Sequence, residues 1–100
     1  MGRFNGAYNG DVSGVVDKVG PGVAGFAEGD EVFGCAGGVG GWQGALADFM
    51  IADVRLLGKR TPAMELPLAD CAALPLVFLT AWSALVDRAG IQPGEHVLIH

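Results

Sequence analysis

Positive charge is scarce in this sequence. Lys and Arg together number six against eleven Asp and Glu, giving a net charge of −5 over 100 residues. The basic residues are also scattered, so no basic stripe is available to neutralise phosphates, which argues against nucleic acid as a partner. The same scarcity argues against an anionic membrane surface. Cysteine occurs only twice, at Cys35 and Cys71, without a CxxC or other framework spacing. Both read as reduced thiols of a cytoplasmic protein rather than as a disulfide framework. Long hydrophobic runs are missing too. The longest uncharged run, Cys71 to Val86, falls short of the roughly 18 residues that a spanning helix needs, and Pro75 interrupts it. It reads as buried helix, with no membrane as partner. The amino-terminal "MGRFNGAYNG" lacks the apolar core of a secretory signal. Gly6 stands where a myristoylation motif needs Ser or Thr.

What is present is apolar and glycine-rich: 51% hydrophobic residues, 17 glycines and only 17% charged residues. A chain of this length makes one small domain, burying roughly 65% of the surface its unfolded form exposes. So apolar a composition implies that part of the surface belongs against something else.

Residues 12–36 read as β. In "VSGVVDKV", Ser13, Val15, Asp17 and Val19 alternate polar and apolar, the period of a strand with one wet face. "GPGV", Gly20 to Val23, breaks it with turn chemistry. A second turn at Glu28-Gly29-Asp30 precedes a short strand, Glu31 to Phe33. The glycine loop "GGVGGWQG", Gly37 to Gly44, misses the dinucleotide fingerprint, because its third glycine is Gly44 rather than residue 43 and no clear amphipathic helix follows. "ALADFMIAD" fits a strand about as well as a short helix, and "VRLLGKR" reads as another short strand. From Pro67 the pattern turns helical: a short helix stopped at Pro75, then a second helix ending at a Gly90 cap. "PGEHVLIH", Pro93 to His100, reads as a turn launching a buried strand of parallel type.

The blocks "GDVSGVVDKVGPGVAGFAEGDEVFG", "GALADFMIADVRLL" and "CAALPLVFLTAWSALVDRAGIQPGEHVLIH", in this order and spacing, resemble the medium-chain dehydrogenase/reductase superfamily. More narrowly they resemble its zinc-independent, quinone oxidoreductase-like branch. The resemblance runs from about Gly10 to His100. It implies a mixed α/β fold: a partial GroES-like β-barrel over residues 1–64, then two bridging helices and the first strand of a Rossmann fold within 65–100. It implies an NADP(H)-dependent oxidoreductase that reduces quinones or α,β-unsaturated carbonyls by hydride transfer. The phosphate-binding glycine fingerprint does not occur within the hundred residues, so the isolated chain is expected to be inactive. Two other readings stand beside this one. One is a structural module that self-associates, as a homo-oligomer, through unpaired strands. The other is a piece of a zinc-type alcohol dehydrogenase relative.

The resemblance also nominates residues. Zinc-dependent relatives carry Gly-His-Glu where this sequence has Asn9, Gly10 and Asp11. Only Cys35 stands where four close cysteines would hold a structural zinc, and no ligand spacing relates Cys35, Cys71, His96 and His100. No zinc is expected. Asp11 is a candidate for shaping the substrate cleft, or else a strand-initial residue that satisfies turn amides. Thr80 in "LTAW" matches a Thr that faces the nicotinamide in relatives, where a hydroxyl both donates and accepts. Its alternative is a bond back to the carbonyl one helical turn earlier. Trp42 is a candidate for stacking on a quinone or enone, or for pinning its own loop. Trp82 reads as core. His96 reads as structural. His100 is a cofactor candidate at the carboxyl end of the first Rossmann strand. No catalytic residue is identified.

Overall fold

The computed structural model describes residues 10–37 and 43–100. An antiparallel sheet comes first, built from β1 (Asp11–Val15), β2 (Glu31–Cys35) and β3 (Leu57–Lys59) in that spatial order. Asp11 lies opposite Cys35 and Val15 opposite Glu31, while Gly34 of β2 lies opposite Leu57 of β3. Two glycine turns make the first connection. Val23 N–H donates to Gly20 at 3.3 Å with Gly22 at φ +76°, the position of a type II turn that favours glycine. Asp30 N–H donates to Ala27 at 3.1 Å, and the Asp30 carboxylate accepts the Ala27 N–H at 2.8 Å. The same carboxylate pairs with Lys59 at 2.6 Å, which ties the second turn to β3.

The strand expected across residues 12–19 ends at Val15. Val16 still exchanges backbone bonds with Asp30 and Gly29, at 2.9 and 2.8 Å, and past it the chain turns away into the Gly20 turn. β2 runs two residues further than its sequence suggested, to Cys35. Between 43 and 53 neither of the two readings of "ALADFMIAD" is met, since no strand or helix forms there. "VRLLGKR" divides into a 3₁₀ turn, Val54–Leu56, and β3. Asp53 caps that turn by accepting the Arg55 N–H at 2.9 Å.

The helical half follows the prolines. α1 (Leu68–Cys71) is one turn entered from Pro67, and α2 (Pro75–Trp82) begins at Pro75. A proline at a first helical position loses nothing, because its missing N–H would have no partner within the helix. Pro75 thus starts α2, while α1 has already ended at Cys71, short of the stop expected at Pro75. The helix then widens into a π segment, Ser83–Arg88, where Ala89 N–H reaches back five residues to Ala84 at 3.0 Å. Gly90 closes it at φ +61°, as its place in the sequence indicates.

The strand expected after Gly94 does not form. Glu95 N–H closes the Pro93-Gly94 turn on Gln92 at 3.2 Å, and residues 96–100 then run exposed without a ladder. A parallel strand exists only beside its neighbours, and the described residues offer none.

The core is small. Val32, Ala36 and Cys71 are its buried apolar residues among those described. Leu76, Val77, Phe78, Leu79 and Trp82 of α2 are each about half exposed or more. The chain presents 8140 Å² to solvent, whereas a compact protein of this mass presents about 5,300 Å². Taken together, Leu68–Arg88 span 21 residues and are long and apolar enough, by length and composition alone, to cross a membrane. It exceeds the uncharged run Cys71 to Val86 because it takes in Asp70, Asp87 and Arg88 at its ends. The reading as buried helix is not met within this chain, since only 11% of the most apolar window is covered. A helix apolar on every side is covered by more protein or by lipid.

Candidate functional site

The amino-terminal end of α2 is where the sheet and the helices meet in hydrogen-bonded chemistry. α2 has no cap of its own: Leu74 precedes it without a side-chain acceptor, and Pro75 has no N–H. The first donor needing a partner is therefore Leu76 N–H. Asp11, at the start of β1, supplies it, accepting at 3.0 Å through Oδ1 and 3.3 Å through Oδ2. Asp11 thus begins a strand, as one of its two readings had it, but the amide it satisfies belongs to a helix 65 residues away. A carboxylate at that position also meets the positive end of the helix dipole.

Cys35 completes the cluster from the facing strand, since it is the register partner of Asp11. Burial pushes its thiol pKa above the ordinary range, and the adjoining Asp11 carboxylate, through a hydrogen bond and its charge, pushes the same way. A thiol so held is a poor nucleophile at neutral pH. Gly10, just before Asp11, has no room for a side chain. A Cβ there would lie 2.7 Å from the Gly37 carbonyl oxygen and 3.0 Å from Cys35 Sγ.

One helical turn beyond the cap, Thr80 Oγ1 donates to the Leu76 carbonyl at 2.8 Å. This is the back-bond that competed with the cofactor reading in the sequence. Thr80 is nonetheless exposed and lines a shallow hollow with Leu79, Ser83, Ala84 and Arg88. Ser83 and Arg88, the first and last residues of the π segment, both line this hollow. Arg55, Lys59 and Arg60 each hold an ion pair, whereas Arg88 has none among the described residues.

A second and larger groove runs beside β1. Its lining includes Val12, Val15, Val16 and Phe26 together with Phe49 and Met50. It is mostly apolar, suited to a flat hydrophobic ligand or to further strands of a barrel. Arg60 braces the passage from sheet to helices. Its guanidinium donates to the Leu66 carbonyl at 2.8 Å and the Met64 carbonyl at 3.4 Å, and pairs with Glu31.

The remaining nominated residues are dispersed. Trp42 lies outside the described residues. His96 and His100 are exposed on the unpaired carboxyl-terminal stretch, and His100 lines neither hollow. Trp82, read as core, is 49% exposed and stacks obliquely on Phe78, with ring centroids 5.9 Å apart. Among the described residues no group of three or more His, Cys, Asp or Glu side chains is placed to hold a metal. Ser83, Arg88 and the backbone of Leu76 were not singled out from the sequence, and Cys35 was weighed there only as a thiol and a zinc ligand. The Asp11–Leu76 bond had one legible sign: a helix starting Leu-Pro-Leu lacks a cap and must borrow an acceptor.

No family model matches the chain. It is 52% identical to an alcohol dehydrogenase superfamily protein from Novosphingobium aromaticivorans of known crystal structure. That match covers 85% of this chain and 25% of the other, with a TM-score of 0.79. The chain is 47% identical over 94 residues to the spectinabilin polyketide synthase system protein NorB of Streptomyces orinoci, covering 94% of itself and 4% of that protein. It is 43% identical over 82 residues to a chloroplast envelope quinone oxidoreductase homologue of Arabidopsis thaliana, covering 82% of itself and 24% of that protein. The chain thus spans about a quarter or less of these relatives.

Proposed function

Since the chain belongs to the medium-chain dehydrogenase/reductase superfamily, we propose that it forms the substrate-barrel edge and bridging helix of an NADP(H)-dependent reductase of quinones or α,β-unsaturated carbonyls. Members of this superfamily commonly use NAD(P). One observation carries the reading. Thr80, the residue matched to the nicotinamide face, sits exposed in a hollow beside Ser83 and Arg88, on the helix that Asp11 of the sheet holds in place. The cofactor supplies the hydride. The chain's own residues bind and orient. Thr80 offers an oxygen to the nicotinamide end, and the apolar groove beside β1 takes the flat substrate out of water. The similarity to a quinone oxidoreductase homologue and to a polyketide synthase protein supports substrates in which a carbonyl activates a C=C bond.

We propose a zinc-independent member. Position 10, where zinc-dependent relatives place His, cannot accept a Cβ without moving the Gly37 carbonyl. Asp11, where they place Glu, is engaged with Leu76 N–H. That weighs against the zinc-type alternative. The hundred residues hold no phosphate-binding glycine turn, so the isolated chain should give no turnover of its own. Two free thiols, with Cys71 fully buried, accord with a reducing, cytoplasmic setting.

The test is label transfer. The polypeptide carrying this segment is given NADPH deuterated at C4 and an enone, and the product is read by mass spectrometry and NMR. Deuterium at the β-carbon supports the reading; β-hydrogen drawn from solvent overturns it. Turnover by the hundred-residue chain alone would overturn its proposed inactivity.

A second reading, self-association, is favoured by the apolar side chains left exposed along α2 and by the edge of β1, which has no strand beside it among the described residues. Light scattering on the purified chain decides it: a concentration-independent monomer mass removes this reading.

A further inference from the structure

We infer that Asp11 is a positioning residue for Thr80, acting through the backbone of Leu76, and that the Thr80 hydroxyl therefore meets a ligand as an acceptor only. The inference rests on the reading of Thr80 as a cofactor contact and specifies how that contact is made.

Leu76 is held from both sides. Its N–H donates to Asp11 at 3.0 and 3.3 Å, and its carbonyl accepts from Thr80 Oγ1 at 2.8 Å. The two groups belong to successive peptide planes flanking one Cα, so fixing the first restricts the second. Asp11 is itself anchored by its place on β1, in register with Cys35 of β2. Two successive hydrogen-bonded links thus lead from Asp11 of β1 through Leu76 to the hydroxyl of a residue on the next helical turn. Neither Leu74 nor Pro75 has a side chain that could cap this end of the helix in place of Asp11. If Asp11 is removed, Leu76 frays and its carbonyl is withdrawn from Thr80.

A threonine hydroxyl has one proton and two acceptor lone pairs. With the proton committed to Leu76, only lone pairs face the hollow. The ligand group opposite must donate: an amide N–H, as in a carboxamide, or a sugar O–H. A ketone or carboxylate oxygen does not suit that place. Without the Leu76 acceptor, Thr80 samples both of the rotamers that threonine adopts in helices, and the donor selectivity is lost.

The experiment is NMR of the isotopically labelled polypeptide that carries this segment together with its nucleotide-binding part. Three-bond couplings to Thr80 Cγ2 report its rotamer, amide exchange reports Leu76, and NADPH is the probe. In Asp11→Ala, Leu76 N–H should exchange about five- to tenfold faster, and Thr80 should pass from one rotamer to an average. Asp11→Asn, which keeps an acceptor oxygen, should restore both. Should the alanine variant not fold, Asp11→Ser gives the same reading, since its hydroxyl is too short to reach Leu76. A single Thr80 rotamer persisting while Leu76 loses protection overturns the inference and leaves Asp11 a helix cap alone. Thr80→Val should keep Leu76 protected and abolish the response of position 80 to NADPH. Thr80 averaging in Asp11→Ala without any NADPH response in the parent supports the positioning and overturns the cofactor contact.

Discussion

Replacing Gly34 by Ala should split the sheet between β2 and β3. Gly34 sits at one end of the β2–β3 pairing, opposite Leu57, the first residue of β3. A Cβ there would lie 2.0 Å from the Leu56 carbonyl oxygen and 3.1 Å from Leu57 Cα. Both are backbone, so no rotamer change relieves the overlap. Restoring an ordinary contact needs a shift of more than an ångström in the Leu56 peptide. That peptide is fixed on both sides, because Leu56 N–H donates to Asp53 at 3.0 Å and Leu57 N–H closes the same 3₁₀ turn on Val54. Overpacking costs about 1–3 kcal/mol, and a rigid backbone neighbour puts this site at the upper end. The reduced freedom of an alanine in the unfolded chain returns about 0.4–1 kcal/mol. A net loss of about 2 kcal/mol lowers the folding equilibrium roughly 30-fold. Gly14 is the internal control. It lies in the same sheet with nothing within 4 Å of its absent Cβ, so Gly14→Ala should be neutral or mildly stabilising. The assay is urea unfolding followed by circular dichroism for the parent and both variants. A Gly34→Ala midpoint equal to that of Gly14→Ala would refute the reasoning.

Three further outcomes follow from side chains. Arg60→Lys keeps the charge but loses the planar fork that reaches Leu66, Met64 and Glu31 together; it should cost about 1 kcal/mol after allowing for solvent at this partly buried site, and an unchanged urea midpoint would contradict it. Asp53 has its pKa lowered to about 2, first by the Arg55 guanidinium and then by the Arg55 N–H. Its stabilising contribution is therefore full above the unfolded value near about 4 and is lost as pH falls through about 2; carboxyl NMR should show that midpoint, and Arg55→Ala should raise it, whereas a parent midpoint near the ordinary value would dismiss the pairing. The Cys35 thiol should be alkylated only at higher pH than an ordinary cysteine, and Asp11→Asn should move that profile down. Cys71, fully buried, should react only when the chain opens; rapid native-state labelling at Cys71 would count against the small core described.

The sequence by itself determined what depends on near neighbours. Pro21-Gly22 and Gly29 make their turns, Pro75 divides two helices, and Gly90 ends the second, because each is set by the φ and donor inventory of one residue. Ordered blocks were enough to identify the superfamily. Only the tertiary structure decided what depends on distant partners. The β reading of residues 17–19 was not met, because the hairpin turns away there. A strand past Gly94 was not met either, because pairing belongs to two segments and not to one. That Gly34 and Gly10 must lack a side chain follows from carbonyls at Leu56 and Gly37, which no local pattern announces. Asp11 looked like a strand-initial or cleft residue; it became the cap of a helix 65 residues away. A carboxylate has no preferred partner until folding brings an unpaired N–H within reach, and here that N–H is Leu76, whose own carbonyl holds Thr80.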